Sequence, residues 1–262
     1  MTLDAIQYLL GGLSGSLVGF TLGLFGGGGS ILAVPLMVYL VGVPSPHIAI
    51  GTSAFAVAAN AGASLIDHAR RGNVKWRCAA VFSVAGVAGA LVGSTVGKAI
   101  DGHKLLLLFA VLMVLVGILM LRNKGDQGEI GAECTLEKSP KVLGFGAATG
   151  LFAGFFGIGG GFLIVPGLIA STGMPMLMAI GSSLVAVTAF GLTTALNYAV
   201  SGYVDWPLAI IFVCGGIAGS AVGSAVACRL APKKGALNVA FAVMIFVVAA
   251  YMIFKSVTEL TA

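Results

Sequence analysis

The residues of this chain best suited to chemistry are glycines. FGGGGSILAVP, Phe25 to Pro35, returns as FGIGGGFLIVP, Phe156 to Pro166, at a separation of 131 residues. Both copies sit in stretches without charge, since no Asp, Glu, Lys or Arg occurs from Ala5 to Ile66 or from Val142 to Val204. Adjacent glycines weaken a helix, so each copy reads as a break in an apolar helical run. A helix starting inside each break would leave backbone N–H groups without carbonyl partners at Gly27, Gly28, Gly29 and Ser30, and at Gly159, Gly160 and Gly161. Glycine matters there because no Cβ keeps an oxyanion from the amides. A helix terminus carries roughly half a positive charge. Two facing termini would therefore hold a small anion without a buried Arg or Lys, which costs about 3 kcal/mol or more in lipid. Binding by dipoles alone favours transit over capture.

Neutral hydroxyls come next. Thr52 and Ser53, with Ser182 and Ser183, follow Pro-containing turns, where they either donate to an oxyanion or cap their own helices. Asn60 and Asn197 lie deeper on the same helices at non-equivalent positions, as a source of asymmetry at the site or as interhelical glue. His68 and Asp205 are the candidates for gating or ion coupling, and beside Asp67 and Arg70 the reading favoured for His68 is a solvated helix end. His47 and His103 fall in turns and carry no functional reading. The four cysteines, Cys78, Cys134, Cys214 and Cys228, form no CxxC pair and read as packing or loop residues. No metal or other cofactor is implied.

These residues need elements that cross a bilayer. The chain is 58% hydrophobic and 9% charged, with mean hydropathy +1.07, whereas an ordinary soluble domain is about a quarter charged. Its apolar runs of about 20 residues suit transmembrane helices, and their continuity excludes the alternating strands of a β-barrel. The fold class is therefore all-α and polytopic. The net charge of +5 is scattered over loops, which excludes a nucleic-acid partner and points to topology determinants. The first basic residue is Arg70, so the amino end reads as a retained helix and not a cleaved leader. Gly, Pro and charge clusters divide the runs into about five segments per half: 5–25, 29–42, 47–67, 76–98 and 104–121, then 142–156, 160–173, 177–200, 206–229 and 235–255. The first repeat is thus 1–121 and the second 142–262. The polar stretch Arg122 to Lys141 joins them as a linker.

The halves correspond in detail. At a separation of 131, Gly15, Gly19 and Gly23 meet Gly146, Gly150 and Gly154; at 130, Gly51-Thr-Ser53 meets Gly181-Ser-Ser183 and Gly72-x-Val74-x-Trp76 meets Gly202-x-Val204-x-Trp206. Gly86, Gly89 and Gly93 meet Gly216, Gly219 and Gly223, and these read as packing glycines. An odd number of crossings per half makes the repeats inverted, so that the two breaks meet near the membrane midplane. The loop Asp67 to Arg77 holds Arg70, Arg71, Lys75 and Arg77, against a single Asp205 in its counterpart Ser201 to Pro207. The first is then cytoplasmic and the second external. Alternation places the linker in the cytoplasm and both termini outside. Only Gly97 to Lys104, with Lys98 and Lys104, is discordant. Trp76 and Trp206 read as interfacial anchors.

With FGGGGSILAVP, GVPSPHIAIGTS and the GxVxW elements laid out twice, the chain resembles the TauE/SafE family of sulfite exporters, also called the toluene sulfonate uptake permease family or DUF81. The resemblance spans nearly the whole chain. It implies a bacterial inner-membrane permease for sulfite, organosulfonates or related organic anions, with export favoured. The family's second motif usually reads GxVDW, matched here at Gly202, Val204, Asp205 and Trp206, whereas the first half carries Lys75. A coupling role for that Asp would thus be confined to one half. The expected partners are a small anionic substrate and the lipid bilayer, and a homo-oligomer is compatible with both.

Other functions fit less well. Gly12-Leu-Ser-Gly15 spells the GxSG of intramembrane serine proteases, but no histidine lies inside an apolar run to serve as base, so an enzyme is not expected. A scaffold subunit would gain nothing from breaking its helices at mid-depth.

Overall fold

A computed structural model describes residues 4–122, 139–157, 161–230 and 236–261. The helices are α1 (Ala5–Phe25), α2 (Ala33–Pro35), α3 (Pro46–Arg70), α4 (Trp76–Lys98), α5 (Gly102–Arg122), α6 (Ser139–Phe156), α7 (Gly161–Thr172), α8 (Met176–Val200), α9 (Trp206–Leu230) and α10 (Ala236–Thr261). A 3₁₀ turn, Gly26–Leu32, precedes α2 and a π-helical turn, Leu36–Leu40, follows it. There is no strand among the described residues. The stretch Ala5–Leu40 and helices α3, α4, α8 and α9 are long and apolar enough to cross a membrane. The protein is an all-α polytopic membrane protein. Most of the expected linker, residues 123–138, lies outside the described residues.

The first two segments form one hairpin. Gly26, at φ +62°, takes a left-handed conformation open to glycine, and the chain folds back on α1. Thr21 Oγ1 donates to the Gly29 carbonyl at 3.1 Å, and Gln7 Nε2 donates to the Val41 carbonyl at 3.0 Å. The two ends of the hairpin therefore lie side by side. Gly23, three residues before the turn, packs on Ser220 and Ser224 of α9. The returning arm is not the plain helix expected over 29–42. It runs as a 3₁₀ turn through the glycines and widens to π geometry after Pro35, whose missing N–H takes one bond out of the helical ladder. In the second half Gly157, at φ +66°, ends α6 before α7 returns.

Small residues set the helix pairs. A Cβ at Gly15, Gly19 or Gly23 of α1 would overlap the backbone of Phe212, Gly216 or Ser220, so α1 and α9 run parallel in close contact. Gly146, Gly150 and Gly154 of α6 meet Phe82, Gly86 and Ala90 of α4 in the same manner. Helices α3 and α8 cross the centre antiparallel: Gly51 faces Tyr198, Gly191 faces Ala54 and Ala58, and Gly62 faces Thr188. Trp76 and Trp206, 57% and 49% exposed, stand at the starts of α4 and α9. Asp101 precedes α5, where the amides of Lys104 and His103 hold its carboxyl below the usual carboxylate range.

Candidate functional site

The glycine breaks of the two halves touch. A Cβ on Gly161 would fall on the Gly27 carbonyl, and one on Gly27 would lie 2.7 Å from the Gly161 Cα. Around this contact, Gly26 backs on the Ile180 carbonyl and Ser183 Oγ, Gly28 on the Phe241 ring of α10, and Gly29 on the Thr21–Leu22 backbone. All five residues from Gly26 to Ser30 are buried. Gly159 and Gly160 lie outside the described residues.

The amides are disposed differently from the expectation. In a 3₁₀ turn the N–H groups of Gly29 and Ser30 bond carbonyls three residues back, so they are not the free donors a bare helix start would leave. The amide that reaches out of the turn is that of Gly27, which donates to Ser183 Oγ on α8 at 2.9 Å. Ser183 Oγ in turn donates to the Ile180 carbonyl at 2.7 Å, and Ser30 Oγ donates to the Gly27 carbonyl at 2.9 Å. Each hydroxyl is therefore already engaged at the glycine contact.

Thr52 and Ser182 do a job that neither capping of their own helix nor a free site describes. Asp205 N–H donates to Thr52 Oγ1 at 2.9 Å, and Lys75 N–H donates to Ser182 Oγ at 2.9 Å. Each hydroxyl thus takes an amide from the start of a helix in the opposite half. Asp205 and Lys75 are themselves 130 residues apart, as are Thr52 and Ser182, so one contact is made twice with the halves exchanged. Ser53 Oγ donates to the Ile50 carbonyl at 3.0 Å. All four hydroxyl residues are fully buried. The matched spacings were on view in the sequence; that they marked bonds between halves was not.

The remaining candidates separate. Asn60 is fully buried and its carboxamide fills the space left by Gly216 of α9, with neither polar atom bonded. Asn197 is half-buried near the end of α8 and joins that helix to α4: its Nδ2 donates to Ser94 Oγ at 2.6 Å, and Lys98 Nζ donates to its Oδ1 at 2.8 Å. Asn197 stands fourteen positions along α8 from Ser183, roughly 21 Å of helix, so Asn197 is not brought to the glycine contact. Asp205 caps α9, accepting the Leu208 amide at 3.1 Å. His68 departs most from its reading. Because α3 continues to Arg70, the imidazole is fully buried, with Nε2 3.1 Å from the Gly23 carbonyl, and is no solvated helix end. Cys78 packs in the core as expected and is in addition disulfide-bonded, which its spacing did not suggest, while Cys214 and Cys228 are free thiols. Cys134 lies outside the described residues.

Comparison with known proteins gives one consistent description. Residues 11–252 match the family described as Sulfite exporter TauE/SafE. The chain is similar to a protein of Xylella fastidiosa strain 9a5c named probable membrane transporter protein, 51% identical over 100% of both chains. It is also similar to the probable membrane transporter protein YunE of Bacillus subtilis, 26% identical over 86% of this chain and 88% of the relative. A probable membrane transporter protein of Haemophilus influenzae is 33% identical over 73% of each chain. No solved structure matches. Full-length likeness to membrane transporters and the family match over the doubled glycine element agree: the chain belongs to the TauE/SafE sulfite exporter family.

Proposed function

We propose that this protein is an inner-membrane permease for small sulfur-containing oxoanions, sulfite first and organosulfonates second, working as an exporter. The observation that carries the reading is the buried backbone contact between Gly27 and Gly161, one from each half. Ser183 Oγ stands on the Gly27 amide where an oxyanion oxygen would sit. When the halves part, the Gly27 N–H and the Ser183 O–H both turn to the anion as neutral donors, and the glycines let it approach. When they close, the hydroxyl returns to the amide and the anion is released. No buried cation is needed, so the complex stays weak enough to turn over.

Alternating access of this kind suits inverted repeats rocking about a fixed site. Support for the inversion comes from the antiparallel α3–α8 pair and from the exchanged bonds of Thr52 and Ser182. The proposed topology has the Arg70–Arg77 loop and the linker in the cytoplasm and both termini outside. Lys98, the residue discordant with the charge rule, donates to the Asn197 carbonyl and carboxamide at the end of α8, which ties it to that helix end without cancelling its charge.

The test is flux of radiolabelled sulfite through proteoliposomes holding wild type or Gly161→Ala. Wild type moves sulfite, and the variant, expressed to a similar level, loses at least about tenfold of that flux. Wild-type flux in the variant would remove the site.

A further inference from the structure

Packing leaves a row of polar groups along α3 that nothing described satisfies. Asn60, Ser64 and His68 recur every fourth residue, on one helical face, and all three are fully buried. Both carboxamide atoms of Asn60, the Ser64 hydroxyl and His68 Nδ1 have no hydrogen-bond partner. On α9, Ser224 packs against Gly23, whose carbonyl His68 engages, and the Ser224 hydroxyl is buried and unpaired as well. An unmet buried polar group is destabilising, and such groups in a row are ordinarily met by internal water. The Gly23 carbonyl can only accept, so Nε2 carries the hydrogen and Nδ1 keeps its lone pair. At the equivalent places in the second half stand Phe190, Thr194 and Tyr198, and the Phe190 ring fills the space at Gly86 that the Asn60 carboxamide fills at Gly216. The Thr194 and Tyr198 hydroxyls are likewise buried and unpaired, so what the first half alone has is the carboxamide of Asn60 and the imidazole of His68.

We propose that the Asn60–Ser64–His68 face is a hydrated proton-binding lane, with His68 Nδ1 taking up one proton and Asn60 and Ser64 holding the waters that deliver it. A new N–H bond forms at Nδ1 and the imidazole becomes imidazolium. The proton given up by the adjacent water is replaced along the lane from the aqueous phase, so no water is consumed. The ionisable side chains near this end are Asp67 and Arg70 of α3, Arg71 in the turn after it, Lys75 and Arg77 at the start of α4, and Cys228 and Arg229 of α9; α1 brings none. Because Gly23 lies three residues before Gly26, the charge arises beside the first glycine break. There it would attract an anion, and this use of the lane rests on the permease reading.

The lane is tested first without substrate, by imidazole nitrogen spectra of the full-length protein in nanodiscs, histidine-labelled at its three histidines. As the pH falls from about 9 to 5, one signal, absent from His68→Gln, passes from the Nε2–H neutral form to the doubly protonated form. Asn60→Leu combined with Ser64→Ala lowers its proton affinity at least tenfold. A pH-silent His68, or one indifferent to that double variant, overturns the lane. In proteoliposomes, a pH gradient drives radiolabelled sulfite to an accumulation ratio above one for wild type and about one for His68→Gln. Equal accumulation by both overturns the coupling. If wild type moves no sulfite while His68 still titrates as described, the lane stands and the permease reading falls.

Discussion

At the scale of single residues, the controlling quantity is whether a methyl group fits. At Gly161 a Cβ meets the Gly27 backbone, which cannot swing aside as a side chain tip can, whereas at Gly62 the nearest atoms are Thr188 Cγ2 and Oγ1 at 3.9 and 4.0 Å. Forcing a methyl into a packed backbone contact costs about 1–3 kcal/mol or more. Gly161→Ala therefore lowers the melting temperature in detergent and abolishes flux, while Gly62→Ala leaves both near wild type; equal effects of the two would contradict the contact. The hydroxyls give a second residue-level prediction. Thr52→Val and Ser182→Ala each strand a helix-start amide of the opposite half, at a cost of about 1–3 kcal/mol, and should destabilise by similar amounts. Thr52→Ser keeps the acceptor and should be nearly silent. The sequence announced which residues matter here by repeating them, but the direction of their bonds depends on which helices become neighbours, and no local pattern carries that.

At the scale of elements, hydrophobicity and Gly or Pro punctuation located the helices to within a few residues, because a run that must satisfy its own amides in lipid has few alternatives to a helix. What they missed was the form of 26–40. Four successive glycines fit a 3₁₀ turn as readily as a helix start, and only the close approach of Thr21, Leu22 and Phe241 selects one. The extension of α3 to Arg70 was missed for the opposite reason, since charged residues beside His68 suggested solvent while the turn before Asn73 keeps the imidazole inside. The antiparallel α3–α8 pair offers a direct test of rocking. In a background stripped of cysteine, Gly62→Cys with Thr188→Cys brings two thiols within the reach of a disulfide. Oxidation should join α3 to α8 and stop sulfite flux, and reductant should restore it. Cross-linked protein that transports at the full rate would show that the two helices keep a fixed contact through the cycle.

At the scale of the whole molecule, the sequence carried its strongest signal in the doubling, because two copies of one pattern 130 residues apart constrain far more than either copy alone. The consequence is a bundle in which loops gather at two ends. The turn after α3 and the turn after α8 lie at opposite ends, since α3 and α8 run antiparallel and each is followed by a short turn. Arg71 stands exposed in the first turn and Ser201 in the second. Basic residues resist translocation, so the end holding Arg70, Arg71, Lys75 and Arg77 should face the cytoplasm. The two turns can be read separately by placing a single cysteine in an otherwise cysteine-free chain. A membrane-impermeant maleimide applied to intact bacterial cells with a permeabilised outer membrane should label Ser201→Cys and leave Arg71→Cys untouched until the inner membrane is opened. Labelling of both in intact cells would mean a mixed orientation, and the reverse pattern would place the proton lane at the external end. That second outcome matters beyond topology: a lane opening to the cytoplasm loads His68 from inside, whereas one opening outward loads it from the medium, and the gradient would then drive sulfite in opposite directions.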